Sequence, residues 1–116
     1  MSAVLIVEDN PDLQALYRAA VRNEGYEPLL ASDGLEALNL LKTSSVQPNV
    51  IILDLMMPVM DGWQFMEHFN KDPSINTIPV VVCSASKSAA PPNVKIMKKP
   101  VELDRLLDVL NSYCNA

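Results

Sequence analysis

The sequence predicts an α/β fold in which a doubly wound, five-stranded parallel sheet lies between two layers of helices. Two observations carry this expectation. Ala3 to Val7, Val50 to Leu53 and Val80 to Cys83 are apolar without alternation, the pattern of strands covered on both faces. Between them lie stretches whose apolar residues recur at i, i+3, i+4 and i+7, the period of a helix with one buried face. Strand and helix therefore alternate along the chain, as in a parallel sheet with crossover helices.

The first strand is Ala3 to Val7. A helix follows, carrying Leu13, Leu16, Tyr17 and Ala20 on one face, opened by Asn10-Pro11 and closed by Gly25. Glu27 to Ala31 is a weaker strand; Pro28 within it cannot donate to a ladder, which suits an edge position. Asp33 and Glu36 have the spacing of a capping box for a second helix bearing Leu35, Leu38 and Leu41 and ending near Thr43 to Ser45. Val50 to Leu53 is the third strand. Phe65, Met66 and Phe69 mark a short helix after Gly62 that stops before Asp72-Pro73. The fourth strand is Val80 to Cys83, and Val94 to Lys98, mixed with lysines, is the second edge. Leu103, Leu106, Leu107 and Leu110 place a last helix after Pro100.

With the three apolar strands central, right-handed crossovers give the strand order 2-1-3-4-5, whose switch point lies between the first and third strands. One connection breaks the rhythm. Ala85 to Asn93 is short for a parallel crossover and contains Pro91-Pro92, so the fourth crossover helix is expected to be missing or at most one turn.

The size, 116 residues with 49% hydrophobic and 20% charged content, suits one globular domain spanning residues 1–116, with no output domain attached. Nine Lys/Arg against fourteen Asp/Glu give a net charge of −5, which disfavours nucleic acid and anionic lipid as partners. The apolar run Val4 to Val7 is too short for a signal peptide or a membrane span, so a cytoplasmic location without membrane insertion is expected. Cys83 and Cys114 form neither a disulfide framework nor a zinc spacing and are expected to be free thiols.

In open parallel sheets, chemistry collects outside the carboxyl ends of the strands. Five side chains fall there: Glu8 and Asp9 after the first strand, Asp54 after the third, Ser84 after the fourth and Lys99 after the fifth. Glu8, Asp9 and Asp54 offer hard oxygen ligands suited to Mg²⁺. With the Lys99 ammonium opposite, an Asp54 oxygen can attack a phosphoryl group whose developing charge is neutralised, and the Ser84 hydroxyl can donate to a phosphoryl oxygen. Lys99-Pro100 is a candidate cis peptide that aims the lysine. Lys98 is the rival cation, but alternation along a strand lets only one of the two lysines face the site. Singly, each group has an ordinary reading as a cap, a turn residue or a solvated charge; together, five suitable groups on one side of a sheet point to a phosphoacceptor. His68, without a second ligand or nucleophile nearby in sequence, is read as a surface residue. Trp63 is expected partly exposed beside the site, where it would serve as an optical reporter.

Val4-Leu5-Ile6-Val7-Glu8-Asp9-Asn10, Asp54-Leu55-Met56-Met57-Pro58-Val59-Met60-Asp61-Gly62, Ser84-Ala85 and Lys99-Pro100, in that order, resemble the receiver domains of two-component response regulators. The resemblance covers nearly the whole chain. It implies that Asp54 accepts a phosphoryl group from a sensor histidine kinase or a histidine phosphotransfer protein, and that Asp9, Asp54 and the Met56 backbone carbonyl bind Mg²⁺, with Glu8 acting partly through water. Ser84 and Lys99 would contact the phosphoryl group. The chain would then be a phosphoacceptor switch rather than an enzyme, acting on a separate output protein. Two features depart from the family pattern: Ile96 stands where an aromatic switch residue is usual, and the fourth crossover is short.

Three other functions compete. An aspartyl-phosphate hydrolase would want an acid two residues after Asp54, where Met56 stands. A flavodoxin-like nucleotide or flavin binder of the same topology would want a glycine- or hydroxyl-rich loop where Glu8-Asp9-Asn10-Pro11 stands. A receiver-like binding module in which phosphorylation is unimportant fits the altered crossover but leaves the acids unexplained.

Overall fold

Five parallel strands form one sheet in the order β2-β1-β3-β4-β5, with β1 at Ala3–Val7, β2 at Glu27–Ala31, β3 at Val50–Leu53, β4 at Val80–Ser84 and β5 at Lys95–Lys98. The structure, a computed structural model, describes residues 2–85 and 90–114. Among these residues the helices are α1 (Pro11–Asn23), α2 (Gly34–Thr43), α3 (Gly62–Asn70) and α4 (Leu103–Tyr113). The expected order is found, with the proline-containing β2 at one border. Between β4 and β5, Ala85 and Ala90 to Asn93 carry no helix; the rest of the expectation of a missing or one-turn fourth helix falls on residues 86–89, outside the described residues.

The central strands are buried throughout, and their alternation divides the core in two. Leu5, Val7, Ile51, Leu53, Val80 and Val82 pack with α2 and α3, while Val4, Ile6, Val50, Ile52, Val81 and Cys83 pack with α1 and α4. On the first side Phe65 and Phe69 stack with ring centroids 5.5 Å apart, and truncating either would cost about 3–5 kcal/mol.

The helix ends follow their sequence signals. Asn10 caps α1, its side chain accepting from Asp12 N–H and Leu13 N–H. Past the other end, Gly25 takes φ +91°, a left-handed conformation that glycine adopts without steric penalty. Asp33 caps α2 by accepting from Glu36 N–H at 2.8 Å. At α3 the cap is reciprocal: Asp61 accepts from Gln64 N–H, and the Gln64 side chain accepts from Asp61 N–H.

Two helices sit differently from the expected apolar faces. Leu16 is 46% and Leu35 44% exposed. The buried stripe of α1 runs through Tyr17 and Val21, and that of α2 through Gly34, Ala37, Leu38 and Leu41. Each leucine is adjacent in sequence to a buried residue, Tyr17 or Gly34, about 100° around the helix from it. Both cysteines are buried free thiols. No helix among the described residues is long and apolar enough to cross a membrane.

Candidate functional site

Strand register brings the first acids together. Val7 pairs with Leu53, and Asp54 N–H donates to Val7 O at 3.0 Å while Glu8 N–H donates to Ala31 O at 3.0 Å, so Glu8 and Asp54 leave the sheet side by side. Counting along each strand, Glu8, Asp54 and Lys99 have the same parity as Ile6, Ile52 and Met97, which face α1 and α4. Three residues far apart in sequence are thereby turned to one side.

Carboxylate oxygens of Glu8, Asp9 and Asp54 all lie within 4.8 Å of one another. Glu8 and Asp54 are buried and Asp9 is exposed. The Lys99 ammonium lies 2.6 Å from Glu8 Oε1 and 3.6 Å from Asp54 Oδ1. The other Glu8 oxygen accepts from Asn10 N–H at 3.1 Å, so both oxygens of this buried carboxylate are engaged. Lys99 N–H donates to Ser84 O at 3.1 Å, tying the ends of β4 and β5 together, and Lys99-Pro100 is cis. Lys98, of opposite parity, is exposed, as is His68.

Burial pushes the Asp54 carboxyl above its ordinary pKa, and the Asp9 charge adds to the rise. Lys99 and the backbone N–H groups of Met56 and Leu55 work against it. Glu8 is likewise raised by burial, opposed by its bonds from Lys99 and Asn10 N–H, with Asp54 raising it further. Burial alone would lower the Lys99 ammonium, but the bond to Glu8 and the charges of Asp54 and Glu8 outweigh it and raise it. Among the described residues, three carboxylates face one ammonium, a surplus of two negative charges when all are ionised.

Ser84 is buried at the end of β4, paired in register with Lys98. Strand alternation gives it the parity of Val82 rather than that of Cys83, so it enters from the α2 and α3 side. The loop after β3 is held by backbone contacts: Gly62 N–H donates to Leu55 O and Gly34 N–H to Met60 O, each at 2.9 Å. A Cβ at Gly34 would lie 2.8 Å from Met60 O, so only glycine admits this approach. Within the loop Val59 takes φ +66° and Met60 N–H donates to Pro58 O at 2.7 Å. Met56 and Val59 are exposed, and Trp63 is half-buried against the α2 and α3 side of the core.

Sequence reasoning missed three supports of this arrangement. Gln14 donates to Glu8 O at 3.0 Å and to Ala31 O at 3.3 Å, clamping the ends of β1 and β2. The Gly34–Met60 contact joins α2 to the loop after β3 and has no local signal. The Asp61–Gln64 box had one, the three-residue spacing of a cap acid and an amide.

A family model described as the response regulator receiver domain matches residues 4–111. The chain belongs to that family. Over 110 residues the receiver domain is 36% identical to the sensor histidine kinase TmoS of Ectopseudomonas mendocina, a match that covers 95% of this chain and 11% of that protein. It is 27% identical to the polar-differentiation response regulator DivK of Brucella anthropi over 118 residues, covering 96% of this chain and 94% of that one. The chain thus spans about a tenth of the first relative and nearly all of the second. In three dimensions it is similar to the receiver domain of sensor histidine kinase PA1611 from Pseudomonas aeruginosa, a structure with magnesium coordinated in its active-site cleft; the TM-score is 0.84 at 23% identity, over 97% of this chain and 96% of that one. The family functions in two-component signalling, as a regulatory switch rather than an enzyme.

Proposed function

We propose that Asp54 accepts a phosphoryl group from the phosphohistidine of a sensor kinase or phosphotransfer protein, with Mg²⁺ bound, and that the phosphorylated form engages a separate output protein. The observation that carries this reading is the placement of a buried carboxylate 3.6 Å from a lysine and within 4.8 Å of two further acids. A hydrolase of phosphate esters would want a second acid just after the nucleophile, where the exposed Met56 stands.

The donor set fits a hard divalent cation. Its carboxylates carry two charges beyond what Lys99 balances, and Mg²⁺ prefers one or two carboxylates with its remaining ligands from carbonyls and water. Asp9 and Asp54 would hold it, with the Met56 carbonyl, and Glu8 would act partly through water. Bound there, Mg²⁺ neutralises charge on the transferring phosphoryl oxygens.

The protein's own part is positioning and charge. An Asp54 oxygen forms the new P–O bond as the donor's P–N bond breaks, and the leaving imidazole keeps the electron pair and takes up a proton. Lys99 holds the nucleophile ionised against the effect of burial and then turns to a phosphoryl oxygen. Ser84 donates its hydroxyl to another, drawing the end of β4 inward and biasing one of two loop arrangements. We place this exchange in the cytoplasm, consistent with two free thiols.

Intact mass after incubation with acetyl phosphate tests the reading. Expected is one added phosphoryl on the native chain, dependent on Mg²⁺ and absent from Asp54→Asn. A label that needs no Mg²⁺, or one that persists in the variant, overturns it.

A further inference from the structure

β5 borders the sheet: it pairs with β4, and among the described residues no strand lies on its other side. Lys99 N–H donates to Ser84 O, and in a strand the N–H and C=O of one residue point the same way, reversing at the next. The backbone groups of Lys95 and Met97 therefore turn toward β4, and those of Ile96 and Lys98 turn outward. Side chains also alternate. Met97 packs on the α1 and α4 side, so Lys95 shares that side, while Ile96 and Lys98 lie toward the α2 and α3 side. Each flank of the edge thus presents one apolar residue and one ammonium.

Ile96 is 56% exposed, and both lysines are exposed. Alongside runs a groove of about 490 Å³ between β5 and α4, with Met97, Val101 and Val109 among its apolar lining; its charges on the α4 side are mixed, Arg105 lying 3.5 Å from Glu102 and Asp108 nearby in the lining. On a chain of net charge −5 the charged side chains of the strand edge itself, Lys95 and Lys98, are both cations.

We propose that the β5 edge docks an extended acidic segment of a partner protein as a sixth strand, with acid, apolar, apolar and acid residues opposite Lys95, Ile96, Met97 and Lys98. The outward backbone groups of Ile96 and Lys98 supply the ladder, and the pattern satisfies both flanks in either strand direction. A second copy is a poor occupant. Antiparallel pairing would set Lys95 against the copy's Lys98 and parallel pairing would set like against like, both repulsive. Docking of this kind needs no phosphoryl group, so it stands apart from the reading of Asp54.

Two blocked peptides with the cores Glu-Val-Val-Glu and Lys-Val-Val-Lys test the proposal by amide NMR titration and hydrogen exchange. The glutamate peptide is expected to shift and protect the Ile96 and Lys98 amides at low salt and to weaken as salt is added. Exposed ion pairs contribute a factor of about 1.5 to 5 each, so Lys95→Gln with Lys98→Gln should reduce the affinity roughly 2- to 25-fold. Both side chains are exposed, so the fold is unaffected. The proposal is overturned by an absence of shifts at millimolar glutamate peptide, by equal binding of the lysine peptide, by shifts without amide protection, or by self-association of the free protein through β5.

Discussion

Replacing Lys99 with methionine keeps most of the apolar stem and removes the ammonium, which lies 2.6 Å from Glu8 and 3.6 Å from Asp54. At an effective dielectric of about 20, Coulomb's law gives about 6 and about 5 kcal/mol for these contacts. Much of that offsets the desolvation of the three ions, and breaking a buried pair typically costs about 3–5 kcal/mol. Lys99 is 16% exposed, which favours the lower figure, about 3 kcal/mol, or a fall in melting temperature of roughly 10 °C in a domain this size. The loss has a pH signature. Without the ammonium the folded Glu8 carboxyl rises further above its ordinary pKa, so the folded state takes up a proton that the unfolded state does not. The stability of Lys99→Met should therefore climb as pH falls from neutral, by up to about 1.4 kcal/mol per pH unit, levelling at ordinary carboxylate values. Adding Glu8→Gln to the variant should recover much of the loss at neutral pH. Urea unfolding across pH reads all three effects. A single variant as stable as the native chain at neutral pH, or a double variant no more stable than the single, refutes the reasoning.

Asp54→Asn should be more stable than the native chain at neutral pH, because folding opposes ionisation of Asp54. The gap should close as pH falls through the raised folded pKa, when native Asp54 gains its proton; a gap that widens on acidification contradicts this. Val59 is 76% exposed with φ +66° at the centre of a γ-turn closed by Met60 N–H to Pro58 O, a strained conformation costing a branched side chain about 1–3 kcal/mol. Val59→Gly should relieve that strain and stabilise in urea unfolding by less than this cost, because glycine also frees the unfolded chain; a destabilised variant contradicts this. At Gly62 a Cβ would lie 2.7 Å from Asp54 O and Leu55 Cα, backbone atoms that cannot give way locally. Gly62→Ala should therefore destabilise by about 1–3 kcal/mol and slow Mg²⁺-dependent labelling of Asp54, measured by unfolding and intact mass.

The strands were legible because both faces of β1, β3 and β4 are buried, which writes them as unbroken apolar runs. Helix caps were legible for the same local reason. The acids of the site could be placed because they lie within two residues of a strand end; alternation admitted only one of Lys98 and Lys99, and the family pattern of a lysine before proline chose Lys99. What escaped depends on distant pieces meeting. The bond from Lys99 to Glu8 joins residues from opposite ends of the chain, and nothing near either shows that Glu8 rather than Asp54 lies closer to the ammonium. The exposure of Leu16 and Leu35 depends on which stripe of each helix meets the rest of the fold, and apolar spacing alone left neighbouring stripes open. The γ-turn at Val59, with φ +66°, ran against its residue type, since a branched side chain rarely takes positive φ.

The bond between Lys99 and Glu8 makes two equilibria one. Whatever neutralises Glu8, a proton or a divalent cation, weakens the attraction that keeps the ammonium there and lets it move toward Asp54. By linkage, whatever draws the ammonium toward Asp54 must in turn raise the affinity of the pocket for that proton or cation, by the same factor. A phosphoryl group on Asp54 is such a draw. Cation affinity measured with and without an anionic phosphoryl mimic at Asp54, in the native chain and in Lys99→Met, would separate the lysine's share of this coupling from direct contact between the mimic and the cation.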